Sequence, residues 1–219
     1  MKLTKTQDIF GVSAFVFGKP GSGYVEHAVE EAAASGVTLV VAYGAVDVLT
    51  GTSIVSGKKM PEVDVIDMQG ADSLDELFAH LNGIEAPYES IVFYGLSQFV
   101  QALAFKIAGG SQPTQPQFGA LAIQTLNYLR LLKNYTTNFY VTCDVREEEE
   151  GSGENVRKVR RFNTTPAITN TLSDELAQAW YVAALGTGER TVQKDAAMAL
   201  AYRAEKPQPK KNKETNKDG

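Results

Sequence analysis

The sequence is poor in the residues that make staples and metal sites. It holds a single cysteine, Cys143, in 219 residues, so an internal disulfide is excluded and nothing points to an oxidising compartment. The two histidines, His27 and His80, stand far apart, and with one cysteine they give no metal-ligand spacing. Neither a metal nor a cofactor is expected. No apolar stretch approaches the ~20 residues that cross a bilayer, and residues 1–8 lead into a strand-like run rather than the apolar core of a secretory leader. A soluble cytoplasmic protein without membrane contact is the expectation. No G-x-S-x-G elbow occurs, and no internal repeat is visible. A formal charge of −5 with a pI of about 5.2 argues against a body that holds nucleic acid by bulk positive charge.

What is present suits one ordinary globular domain. Hydrophobic residues make up 43% and charged residues 21%, enough to bury a full core without staples. Residues 1–205 read as this domain. The tail, 206–219, carries five lysines against Glu214 and Asp218. Its composition cannot bury a core and reads as disordered.

Periodicity sets out the elements. Ser13 to Phe17 is a short apolar run stopped by Gly18, as in a buried strand. Val25, Ala28, Val29 and Ala32 lie three and four apart and predict a helix closed by Gly36. Val37 to Tyr43 predicts a second buried strand, so the two strands are expected to run parallel. A loop covers 44–62, a strand Val63 to Met68, and a helix Ser73 to Leu81. Ser90 to Tyr94 reads as a strand, Leu96 to Ala108 and Phe118 to Lys133 as helices, and Asn138 to Cys143 as a strand. The acidic run Glu147 to Glu150, a Gly-Ser-Gly turn and the basic run from Val156 to Phe162 predict an exposed hairpin with paired charges. Thr171 to Ala184 reads as a helix, Arg190 to Val192 as an edge strand, and Ala196 to Glu205 as a short alanine-rich segment. This alternation predicts an α/β layer fold with a mainly parallel sheet.

One stretch organises the chain. Between the first strand and first helix lies Gly18-Lys19-Pro20-Gly21-Ser22-Gly23. It has the outline of a phosphate-binding loop, G-x-x-x-x-G-K-[ST]. Gly18 and Gly23 occupy the glycine positions, but Tyr24 and Val25 follow where lysine and a hydroxyl residue belong. The backbone cradle is retained, and a helix N-terminus behind it favours an anion. Tyr24 offers no cation and Val25 no oxygen ligand. Lys19 is the one nearby cation in sequence and reads as a solvated lysine in a glycine turn.

The run Gly18 to Gly23 resembles the loop of the RecA-like P-loop ATPases encoded by bacteriophages, in which it is followed by lysine and threonine. Further similarity follows in order through Leu39-Val40-Val41, Val63 to Ile66 with Leu74 to Leu77, and Ser90 to Ser97, which looks like the Walker B strand and its continuation. Phe139 to Cys143 resembles the next strand, with Thr142 at the sensor-like end and Asp144 two residues on. The hairpin and Pro166 also fit, so the likeness covers roughly residues 10–190. It implies a P-loop fold. In that alignment the Walker B aspartate falls on Tyr94, and no acidic residue occurs between Ile91 and Phe105.

With the lysine, hydroxyl and carboxylate all replaced, Mg²⁺-dependent hydrolysis is not expected, because charge neutralisation and positioning supply most of that catalysis. The leading reading is a catalytically inactive pseudo-ATPase, an interaction or assembly factor of a bacteriophage. Protein partners or self-association are expected, in the host cytoplasm or within a virion. An alternative is an accessory of phage DNA recombination or annealing, in which Arg157, Lys158, Arg160 and Arg161 contact phosphates. A third is a structural component of a phage head or tail. Cys143 and Thr142 read as core residues.

Overall fold

The computed structural model describes residues 11–53, 55–68, 73–150, 157–185 and 189–194. Its strands are β1 (Ser13–Gly18), β2 (Thr38–Ala42), β3 (Asp64–Asp67), β4 (Ser90–Tyr94), β5 (Asn138–Glu150), β6 (Arg157–Phe162), β7 (Gln178–Leu185) and β8 (Glu189–Gln193). The helices are α1 (Tyr24–Ala33), α2 (Leu74–Gly83), α3 (Leu96–Ile107), α4 (Gln115–Lys133) and α5 (Pro166–Glu175), with a 3-10 turn at Val46–Leu49. The strands are ordered β3-β2-β4-β5-β1-β7-β8, and β6 pairs with β5 beyond this path. All neighbours are parallel except β5 with β6 and β7 with β8. The protein is thus α/β, with a mostly parallel eight-stranded sheet flanked by helices.

Strand alternation divides the core. Phe15, Val41, Phe93 and Val141 point to the face covered by α2, α3, α4 and α5. Val16, Val40, Val92, Tyr94 and Trp180 point to the other, covered by α1 and the segment holding Leu49 and Met60. The central strands are buried on both faces, which is why they read as continuous apolar runs rather than alternating ones. α4 starts at a capping box, Thr114 with Gln117, where two otherwise orphaned backbone and side-chain groups satisfy each other.

The helix expected over Thr171 to Ala184 is a correction. The structure ends a helix at Glu175 and begins β7 at Gln178, pairing Phe15 with Ala179 and Phe17 with Tyr181. Pro166 at the first turn of α5 is a start signal that places the helix five residues earlier. Ala179 to Val182 is buried on both faces of a sheet, and short apolar runs of this kind do not separate strand from helix by period. The alanine-rich segment 196–205 and the tail 206–219 lie outside the described residues.

α1 carries a pH-sensitive contact. His27 is buried against Trp180, ring centroids 5.7 Å apart. Its Nε2 has no hydrogen-bond partner and stands 4.0 Å from Glu31. Burial, then the Arg190 and Lys194 cations, bring its pKa down from 6.5 to about 4 against the opposing pull of Glu31. The unfolded chain protonates near 6.5 and the folded one near 4, so unfolding takes up a proton between these values. The contribution is complete above pH 6.5 and is lost as pH falls towards 4. Reduced by solvent screening, it is worth about 2 kcal/mol. Urea titrations of the protein and of His27→Leu should diverge across that window, with the variant losing less stability on acidification. Parallel curves would refute the assignment.

Candidate functional site

The glycine loop leaves the carboxyl end of β1 in the middle of the sheet. In register, Gly18 lies beside Asp144 on β5 and Val182 on β7. The Ser22 N–H donates to the Lys19 carbonyl at 2.9 Å, and the His27 N–H donates to the Gly23 carbonyl at 2.9 Å to begin α1. Gly21 and Gly23 take φ values of 80° and 77°, in the left-handed region that glycine enters without steric cost. Successive N–H groups in such a turn form an anion-binding concavity. The hydroxyl of Ser22 is buried inside the loop without a hydrogen-bond partner.

Carboxylates stand beside this cradle. Glu26 is buried, and its Oε2 lies 3.5 Å from where a Cβ on Gly23 would stand. Ser53 donates to Glu26 Oε1 at 3.5 Å, while Val55 packs over Gly23. The 3-10 turn and the residues after it therefore fold down onto the N-terminus of α1. Asp144 accepts hydrogen bonds from Ser97 Oγ and from Asn163 Nδ2, the latter at 3.0 Å. Two carboxylates thus flank the loop.

Tyr24 and Tyr94 belong with Val25 to one apolar cluster over the α1 face. The Tyr24 hydroxyl is held well above its ordinary pKa by burial, then by Asp144 and Tyr94. Tyr94 is raised by burial, then by Glu26 and Asp144. Both phenols are neutral at physiological pH. Tyr94 fits beneath Gly44, where an added Cβ would come within 2.6 Å of its oxygen. The β4–β5 ladder ends at Phe93 and Val141. Thr142, fully buried, continues the join by accepting from the Gly95 N–H at 3.3 Å and donating to the Phe93 carbonyl at 3.5 Å. It is a structural bridge between strand ends.

Lys19, Arg160 and Arg161 each have an acidic partner. Lys19 is half-exposed but reaches Glu147 at 2.6 Å. Glu147 also receives Arg160 at 3.5 Å, and Arg160 lies 4.6 Å over the Tyr181 ring. Glu147 is held below the usual carboxylate range by these partners, Lys19 first. Arg161 pairs with Glu148 at 2.7 Å. Arg157 and Lys158 stand in register with Glu150 and Glu149, and their side chains lie outside the described residues. Among the described side chains, Arg160 and Arg161 therefore meet acidic residues of β5 across the strands, as the sequence pattern suggested. Cys143 is buried, its thiol pushed up to about 12 by burial and sitting 3.5 Å from Ser97 Oγ, so it carries no thiolate nucleophile. Among the described residues no cluster of three or more His, Cys, Asp or Glu is placed to hold a metal, and no helix is long and apolar enough to cross a membrane.

Sequence reasoning missed Glu26 and its cover by Ser53 and Val55. An acidic residue in the first turn of a helix reads as a solvated partner of the helix dipole, and only the fold of 46–60 shows that it is enclosed. Asp144 stood in the sequence merely as a neighbour of Thr142. A scan against models of known protein families finds no match to this chain, and no curated protein matches it.

Proposed function

We propose that this chain is a non-catalytic, RecA-like P-loop protein that acts as an interaction or assembly factor. The strand, glycine loop, helix and parallel return strand make the supersecondary unit of a phosphate-binding loop, which supports the fold assignment. The observation that carries the loss of catalysis is the lining of the cradle. Where lysine, hydroxyl and carboxylate would hold nucleotide and Mg²⁺, Tyr24, Val25 and Tyr94 pack into an apolar cluster. The charges beside them, Glu26 and Asp144, repel a triphosphate. α3 and α4 also leave the large apolar side chains Phe105, Phe118, Ile123 and Leu131 exposed to a partner. The resemblance to bacteriophage-encoded ATPases points to partners within a phage assembly, identifiable by crosslinking in infected cells.

Calorimetric titration with ATP and Mg²⁺ tests the reading. Binding is expected to be no tighter than about 1 mM, near −4 kcal/mol, with no phosphate release above background. Restoring two groups at once, Tyr24→Lys with Val25→Thr, is expected to leave binding equally weak, because Glu26, Asp144 and Tyr94 remain. Micromolar affinity with turnover in the natural chain would sink the proposal.

A further inference from the structure

We propose that Asn82, at the end of α2, is a site of spontaneous modification that converts its side-chain amide to a carboxylate. Asn82-Gly83 is the one Asn-Gly pair in the sequence, and the chemistry lies in those two residues. The backbone nitrogen of Gly83 gives up its proton to solvent and attacks Cγ of Asn82. A C–N bond forms, the side-chain amide nitrogen leaves as ammonia, and a cyclic imide remains. Water then opens the imide at either carbonyl, giving aspartate or the β-linked isoaspartate. Overall one water is consumed and one ammonia is released, with no oxidant or reductant. Glycine suits the step because no side chain crowds the attacking nitrogen or restricts the backbone around it.

The fold places this pair where it can react. Asn82 and Gly83 are exposed and close the last turn of α2. Ile84 is already extended, with φ −78° and ψ 137°, so no further turn holds the helix end, and helix ends fray. Fraying exposes the Gly83 N–H to solvent base. A Cβ added to Gly83 would meet nothing within 4 Å, so the ring closes in open space. One contact favours the attack itself. The Tyr135 hydroxyl donates to Asn82 Oδ1 at 2.9 Å. That oxygen gains negative charge as the nitrogen adds, and a donor already aimed at it stabilises the developing charge. The Tyr135 ring is set against Phe78 of α2, centroids 6.0 Å apart. The product carries a new negative charge at the carboxyl end of α2, where the helix dipole disfavours it, and isoaspartate lengthens the main chain there. Modification therefore loosens the last turn of α2.

The test is incubation of the full chain in warm, mildly alkaline buffer, followed by peptide mass mapping and labelling with an isoaspartyl methyltransferase. The peptide that holds Asn82 is expected to gain an acid, and to accept methyl groups, before any other asparagine-containing peptide. Gly83→Ala enters open space and replaces a glycine in a helix, so the variant stays folded, yet both signals should be lost from this peptide over the same time. Tyr135→Phe keeps the ring and should slow the reaction about fivefold, the rate equivalent of one hydrogen bond. An unmodified Asn82 in the natural chain, or equal rates in the natural chain and Gly83→Ala, would overturn the proposal. An equal or faster rate in Tyr135→Phe would overturn the part given to Tyr135. None of these readouts involves a nucleotide, so they stand apart from the calorimetric titration.

Discussion

Tyr94→Asp, which introduces the acidic residue that a working P-loop ATPase would carry there, should destabilise the protein by about 3–5 kcal/mol. The substitution removes a buried ring from a cluster with Val25, Val92 and Trp180. It also places a carboxylate in the field of Glu26 and Asp144, the two acids that already raise the Tyr94 hydroxyl. The new carboxyl would meet desolvation and like charge together, and both disfavour its ionised form. Tyr94→Phe, by contrast, keeps the ring and should change stability by less than about 1 kcal/mol. Urea denaturation of the three proteins measures both differences. A well-tolerated aspartate would mean that the cluster is loosely packed and the pocket open, and with it the case against a metal-bound nucleotide would weaken.

Gly18→Ala is the second large effect, about 3 kcal/mol or more. Gly18 is the first glycine of the loop, a position usually explained by the approach of a phosphate. Here the reason is internal. A Cβ would overlap Ser22 Oγ and stand 2.6 Å from the carbonyl oxygen of Val182 on the neighbouring strand. A serine rotamer can yield, but a backbone carbonyl in the ladder cannot. Gly21→Ala provides the contrast, since its Cβ would meet nothing within 4 Å. Its cost is only that of a left-handed φ, about 1–2 kcal/mol. Thermal unfolding of the two variants should rank Gly18→Ala as the more damaging. The reverse order would show that backbone conformation, not packing, governs the loop.

These outcomes bear on how far the candidate site was readable beforehand. The loop itself was, because the positive-φ turn demands glycine locally and the periodicity of Val25, Ala28, Val29 and Ala32 marks the helix behind it. The absence of a lysine, a hydroxyl and an aspartate was equally plain. The character of the space around the loop was not. Glu26 looks like any acidic residue in a first helical turn, and only the path of 46–60 encloses it. Lys19 looks solvated, and only the length of β5 carries Glu147 within reach of it. The misread segment 171–184 shares this cause. Gln178 to Leu185 pairs with β1 far upstream, and a run buried on both sides shows no period to distinguish a strand from a helix.

The amino-acid sequence by itself determined the α/β class, the parallel β1–α1–β2 unit, the glycine loop and its missing chemical groups. These depend on contacts within a few residues or on the burial period of one element. Tertiary structure alone decided that β5 and β7 flank β1, that two carboxylates border the cradle and that Tyr94 fills the space beneath Gly44. Each of these depends on which strands become neighbours, and backbone pairing, being common to all residues, leaves that choice to the packing of the whole sheet.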